Sequence, residues 1–118
     1  MKILIVDDNQ SITGMLSKYL KLKNFEVSVA NDERNGLNLI QNYEFDTIIL
    51  DLAMPDFSGI DVIDALEKDG KLKDQKIVLF TASSITNELL DQLLRKEGIK
   101  ACVKKPVKLA ELIQVIST

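Results

Sequence analysis

Thr47-Ile48-Ile49-Leu50-Asp51 decides the fold. Its apolar residues follow one another without the polar alternation of a half-exposed strand, as in a parallel strand covered on both faces, and an acid ends the run. The pattern recurs on either side. Ile3-Leu4-Ile5-Val6 runs into Asp7-Asp8, Ile77-Val78-Leu79-Phe80 into Thr81, and Ala101-Cys102-Val103 into Lys104-Lys105. Strands are expected at about 2–6, 26–30, 47–51, 76–80 and 101–104. In the second, Phe25, Val27 and Val29 alternate, which places it nearer a sheet edge.

Helical spacing fills the intervals. Ile12, Met15, Leu16, Tyr19 and Leu20 form a stripe at i, i+3, i+4, i+7 and i+8. Leu37 and Ile40 mark a second helix over 33–42, which Gly36 weakens. Ile60, Ile63 and Leu66 follow Gly59 in a third, which Asp69-Gly70 ends. Leu89, Leu90, Leu93 and Leu94 mark a fourth with Gly98 as its C-terminal cap, and Leu109, Leu112, Ile113 and Ile116 mark a fifth. Five β–α units joined by short loops predict an α/β fold, a parallel sheet between two layers of helices. One domain is expected over the 118 residues, with no linker and no second domain expected after the last helix of this stretch.

Composition narrows the function. Apolar residues are 46% and charged residues 28%, which fits a globular chain and excludes a disordered tail. The net charge is −3 without a basic stripe, so direct nucleic-acid binding is not expected. Apolar runs of four or five residues are far too short to span a membrane. The single Cys102 has no intrachain disulfide partner, which fits a reducing cytoplasm. There is no histidine, and with it goes every His-based catalytic dyad.

In open parallel sheets ligands bind beyond the carboxyl ends of the strands. Asp7, Asp8, Asp51, Thr81 and Lys105 all stand there, so distant segments can bring three carboxylates, a hydroxyl and an ammonium to one pocket. Two anions 4 Å apart repel by about 4 kcal/mol at an effective dielectric near 20, so the three acids need a cation. Oxygen donors without His point to Mg²⁺ or Mn²⁺, which keeps waters and accepts a phosphate oxygen. Singly, each residue has a plainer reading. Asp8-Asn9 is a helix cap, Asp51 opens a turn, Thr81-Ala82-Ser83-Ser84 is a hydroxyl-rich loop, and Lys105 precedes a turn proline. Lys105-Pro106 is also a bond type that adopts cis. Pro55 and Gly59 shape the segment 52–59 into a loop, Gly59 by permitting a positive φ.

Order and spacing together go further. Val6-Asp7-Asp8-Asn9, Asp51-Leu52-Ala53-Met54-Pro55-Asp56-Phe57-Ser58-Gly59, Thr81-Ala82 and Lys105-Pro106 resemble the response-regulator receiver domain of two-component phosphorelay signalling, across essentially the whole chain. The form resembled is the stand-alone, chemotaxis-regulator-like one. The resemblance implies a flavodoxin-like (βα)5 fold, a doubly wound five-stranded sheet in the order 2-1-3-4-5 with helices on both faces. It implies that Asp51 is the phosphoacceptor, taking a phosphoryl group from the histidine of a sensor histidine kinase or phosphotransfer protein. Asp8, Asp51 and the carbonyl of Ala53 would ligate Mg²⁺, with Asp7 acting through water, while Lys105 and Thr81 bind phosphoryl oxygens. The chain would catalyse its own phosphorylation without being a conventional enzyme. Its output would go to a downstream protein at the face of the fourth helix, fifth strand and fifth helix. A receiver-fold interaction module that is never phosphorylated is the alternative.

One position departs from the family pattern. Cys102 stands where receivers usually carry an aromatic residue or His, so the switch is expected to rest on Thr81 and the 82–86 loop. As a small, half-apolar side chain, free Cys most often simply fills space. After Gly98 comes Ile99-Lys100-Ala101 rather than an acidic run, which argues for partner docking and a monomer or weak dimer. Other readings of the architecture fit less well. A flavin carrier needs a phosphate loop where Asp7-Asp8 stands, a haloacid-dehalogenase-type phosphatase needs Asp-x-Asp there, and no P-loop Gly-Lys-Ser/Thr occurs.

Overall fold

The computed structural model describes residues 1–52, 59–81, 86–106 and 108–117. Ala53 and the Met54-Pro55 segment, Ala82 and most of the 82–86 loop lie outside the described residues.

Strands β1 (Lys2–Val6), β2 (Glu26–Ala30), β3 (Thr47–Asp51), β4 (Ile77–Thr81) and β5 (Ile99–Lys104) form one parallel sheet in the order β2-β1-β3-β4-β5. Helices α1 (Gln10–Leu22), α2 (Glu33–Asn42), α3 (Gly59–Lys68), α4 (Asn87–Leu94) and α5 (Leu109–Ser117) cover it, with a short 3-10 turn at Leu72–Asp74. This is the flavodoxin-like order. The unbroken apolar runs have the expected cause, since β3 and β4 are buried at all five positions. Side chains of opposite parity in each strand enter separate cores. Leu4, Val6, Ile48, Leu50 and Leu79 pack with α2, α3 and Leu93 of α4. Ile3, Ile5, Ile49, Val78 and Phe80 pack with Leu16 and Leu20 of α1 and Leu112 and Ile116 of α5. The alternating segment is the edge strand β2, which pairs on one side only.

Local chemistry sets the helix ends. Asn9 is the cap of α1, its side-chain oxygen accepting from the N–H groups of Ser11 at 3.0 Å and Ile12 at 3.2 Å. Gly70, at φ 69°, closes α3, with its N–H on the Glu67 carbonyl and the Lys71 N–H on that of Leu66.

Three glycines act differently from expectation. Gly98 does not cap α4, which ends at Leu94 with Arg95 as its cap. It has φ 97° in the turn into β5, and a Cβ there would collide with the Leu72 carbonyl. Gly59 is not a loop residue of positive φ but the first residue of α3, pressed against the backbone of Asp51 and Leu52. Gly36 leaves α2 intact, because the glycine lets that helix approach β1 closely. An added Cβ would lie 2.7 Å from Val6 Cγ1. Strand β5 begins two residues ahead of the expected start. Ile99 is buried and pairs with Ile77, while a register shift leaves Lys100 as an extra residue before Ala101 meets Val78. The Lys105-Pro106 bond is cis.

Candidate functional site

Parallel strands of matched length bring their carboxyl ends to one edge of the sheet. Asp7 follows β1, Asp51 closes β3, Thr81 closes β4 and Lys105 follows β5. The backbone secures these positions. Asp7 N–H donates to the Ala30 carbonyl at 3.1 Å, Leu52 N–H to that of Phe80 at 3.1 Å, and Lys105 N–H to that of Thr81 at 2.8 Å.

Asp7, Asp51 and Thr81 are all buried, at 0%, 2% and 1% exposure. Asp7 Oδ1 accepts from the Asn9 N–H at 2.9 Å, and its Oδ2 faces the ammonium of Lys105 at 3.1 Å. That second contact is an ion pair without an aligned hydrogen bond. Lys105 Nζ also lies 3.4 Å from Asp51 Oδ2 and 5.0 Å from the centre of the Phe80 ring. One ammonium thus meets two buried carboxylates, with an aromatic face beside it. Asp8 is exposed at the rim, and one oxygen each of Asp7, Asp8 and Asp51 lie within 4.8 Å of one another. Three anions at that spacing outnumber the one ammonium that, among the described residues, pairs with Asp7 and Asp51, so the donor set suits a divalent cation. All donors are oxygen, and Asp7 Oδ2 still has hydrogen-bonding capacity. On both counts Mg²⁺ fits.

Cys102 stands apart from this edge. It is half-buried in β5 opposite Leu79, packed against the core shared with α4. Burial pushes its thiol above the ordinary value of 9.0, with the charge of Lys104 opposing. A protonated, small apolar group is the result, as the sequence implies.

Three contributors escape the sequence reading. Phe80 is hidden inside an apolar run, where nothing distinguishes its ring from core filling. Asn31 donates from Nδ2 to the Asp7 carbonyl and to Thr13 Oγ1, both at 3.1 Å, which ties the end of β2 to the site. Glu33 is 2% exposed, and its signal was available: it stands four residues before Leu37 and seven before Ile40, on the apolar stripe of α2. Burial raises its carboxyl from the ordinary 4.5 to about 7. A hydrogen bond from its own backbone opposes this, and the charges of Asp51, Asp8 and Asp32 add to it. The folded state therefore holds this proton more tightly than the unfolded chain does. The stabilisation is complete below the unfolded value and is lost as pH climbs toward about 7. In Mg²⁺-free buffer, urea unfolding should show stability falling between about pH 5 and about pH 8, by at most ~3 kcal/mol. Glu33→Gln should flatten that slope; an unchanged slope would remove Glu33 as its source.

Comparison with known proteins agrees with this architecture. Residues 3–117 match the response regulator receiver domain family. The transcriptional regulatory protein CpxR homolog of Haemophilus influenzae is 34% identical over 115 residues, covering 95% of this chain and 47% of that protein. The DNA-binding response regulator MtrA of Mycolicibacterium smegmatis is 33% identical over 112 residues, with 95% and 47% covered. The chain thus spans about half the length of these curated relatives. Among solved structures, chemotaxis protein CheY4 of Vibrio cholerae superposes with a TM-score of 0.84 at 28% identity, covering 98% of this chain and 95% of that one. The Francisella response regulator 1452 receiver domain gives 0.84 at 26% identity, covering 98% and 93%. Because the family match takes in nearly every residue from the first strand to the last helix, the chain belongs to the response regulator receiver domain family of two-component systems.

Proposed function

We propose that residues 1–118 act as one phosphoacceptor switch, with Asp51 as the residue modified. The observation that carries this reading is the convergence of Asp7, Asp8 and Asp51 within 4.8 Å, with Lys105 Nζ 3.4 Å from Asp51. An Asp51 oxygen forms a bond to phosphorus as the bond from phosphorus to the donor breaks. The departing electron pair leaves with the donor, the imidazole of a partner's phosphohistidine. These residues contain no histidine, so the donor histidine lies outside them, on a sensor histidine kinase or phosphotransfer protein.

Mg²⁺ (or Mn²⁺), held by Asp8, Asp51 and the Ala53 carbonyl with Asp7 acting through water, supplies charge neutralisation at the phosphoryl oxygens when bound. Lys105 neutralises a further oxygen of the transferred group, and Thr81 donates a hydroxyl to another. Phe80 and Asp7 position the Lys105 ammonium. The new charge is sensed by the 82–86 loop through Thr81, while Cys102, opposite Leu79 in β5, offers no ring to move. A downstream protein then reads the face of α4, β5 and α5. The site of action is the cytoplasm, and the chain works as a monomer or weak dimer. No helix among the described residues is long and apolar enough to cross a membrane. The DNA-binding roles named for the longer relatives are not assigned to this segment.

The direct test is acetyl phosphate with Mg²⁺, followed by intact-protein mass measurement. One added phosphoryl group is expected, lost when EDTA replaces Mg²⁺. A mass unchanged by the donor would refute the reading. The ion should also stabilise the fold. At about ten times its Kd it adds about 1.4 kcal/mol, or several degrees in Tm. Asp8→Ala should lose that shift; retention of the full shift would place the cation elsewhere.

A further inference from the structure

The transfer described above makes no use of Glu33. It is the first residue of α2, and its Oε1, though buried, has no hydrogen-bond partner among the described residues. An oxygen in that condition has lost hydration without a replacement, so a partner outside the polypeptide is expected. Helix capping does not account for it. The cap is Asp32, whose carboxylate accepts from the Asn35 N–H and from Asn35 Nδ2, both at 2.8 Å.

Packing explains where this carboxyl goes. Gly36 seats α2 against Val6, and Glu33 lies one turn earlier on the same face. In a parallel sheet the helix N-termini lie at the carboxyl ends of the strands, so that turn faces the edge where Asp7 and Asp8 leave β1. The charges of Asp51 and Asp8 both act on Glu33, with that of Asp32 from its own helix. Glu33 is nevertheless not one of the oxygens that lie within 4.8 Å of one another. It is therefore outside the directly clustered set.

We propose that Glu33 is a fourth acidic residue of the divalent-cation site, reaching the ion through a water of its hydration shell. The inference rests on reading Asp7, Asp8 and Asp51 as a Mg²⁺ site. Mg²⁺ keeps several of its waters when bound by carboxylates, and such a water donates to the Oε1 that the described residues leave unpaired. Glu33 is then a positioning residue for the hydrated ion, and its negative charge adds to the attraction.

The experiment is calorimetric titration of MgCl₂ into the full chain near neutral pH without phosphodonor. Wild type is compared with Glu33→Gln, Glu33→Asp, Asp32→Asn and Asp8→Ala. Loss of a partner behind the ligands should weaken Mg²⁺ about 10-fold in Glu33→Gln, and Glu33→Asp should recover part of that loss. Asp32→Asn removes a neighbouring charge while keeping a capping residue, and should change affinity by less than about 2-fold. If wild type and Glu33→Gln bind equally while Asp8→Ala does not bind, the inference fails and the Mg²⁺ site stands. Equal weakening in Asp32→Asn and Glu33→Gln means a diffuse field effect, and overturns it also. Absence of binding in wild type, or full binding in Asp8→Ala, removes the site and this inference together.

Discussion

Asp51→Asn should take up no phosphoryl group from acetyl phosphate and Mg²⁺, while wild type should gain one per chain. The amide is nearly isosteric with the carboxylate but has no charge to direct at phosphorus and weakens one ligand of the cation. Loss of folding is not the cause expected. Asp51 is 2% exposed beside Asp7 and Asp8, and only Lys105 among the described ammonium groups forms an ion pair with it. Neutralising it relieves repulsion while Lys105 keeps Asp7 at 3.1 Å. The variant should therefore unfold at equal or higher urea, with a gain of about 1 kcal/mol in Mg²⁺-free buffer. A stable protein that gains no mass is the combination to look for. Labelling of Asp51→Asn at the wild-type rate would place the acceptor elsewhere.

The second large effect comes from one methyl group. Gly59→Ala puts a Cβ into the Asp51 carbonyl, 2.9 Å from Leu52 Cα and 3.1 Å from the Asp51 carbonyl carbon. None of these is the end of a flexible side chain, so backbone must shift. Destabilisation of about 3 kcal/mol is expected, near the upper range for overpacking. The strand end that shifts is the one carrying Asp51, so phosphoryl uptake should slow even in the molecules that stay folded. Gly14→Ala is the matched control. Gly14 is exposed within α1, and its added Cβ meets nothing within 4 Å. There the same substitution should stabilise by up to about 1 kcal/mol, because alanine has less backbone freedom to lose in a helix. Urea midpoints of the two variants, read with mass-detected uptake, check both signs. Two stabilising substitutions would contradict the close approach of α3 to β3.

The periodicities of the chain were enough to locate the elements, because each reports a local rule. A buried parallel strand is apolar on both faces, and a covering helix is apolar on one. The runs ending at Val6, Leu50 and Phe80 and the stripes of α1 and α5 therefore appear where expected. The residues Asp7, Asp8, Asp51, Thr81 and Lys105 were legible too, since each follows directly from where a strand stops. Register was less legible. The extra residue Lys100 in β5 depends on pairing with β4, which is a contact between segments more than twenty residues apart.

What sequence alone determined here is therefore an alternation of strands and helices, with acids, a hydroxyl and a lysine at the strand ends. Local backbone rules and the side-chain period suffice for that. Tertiary structure decided which atoms meet. It put Lys105 between Asp7 and Asp51, laid Phe80 beside the ammonium, drew Glu33 out of water, and made Gly36, Gly59 and Gly98 contact points between elements. Distances across a sheet arise from packing among remote segments. No short stretch of residues contains them.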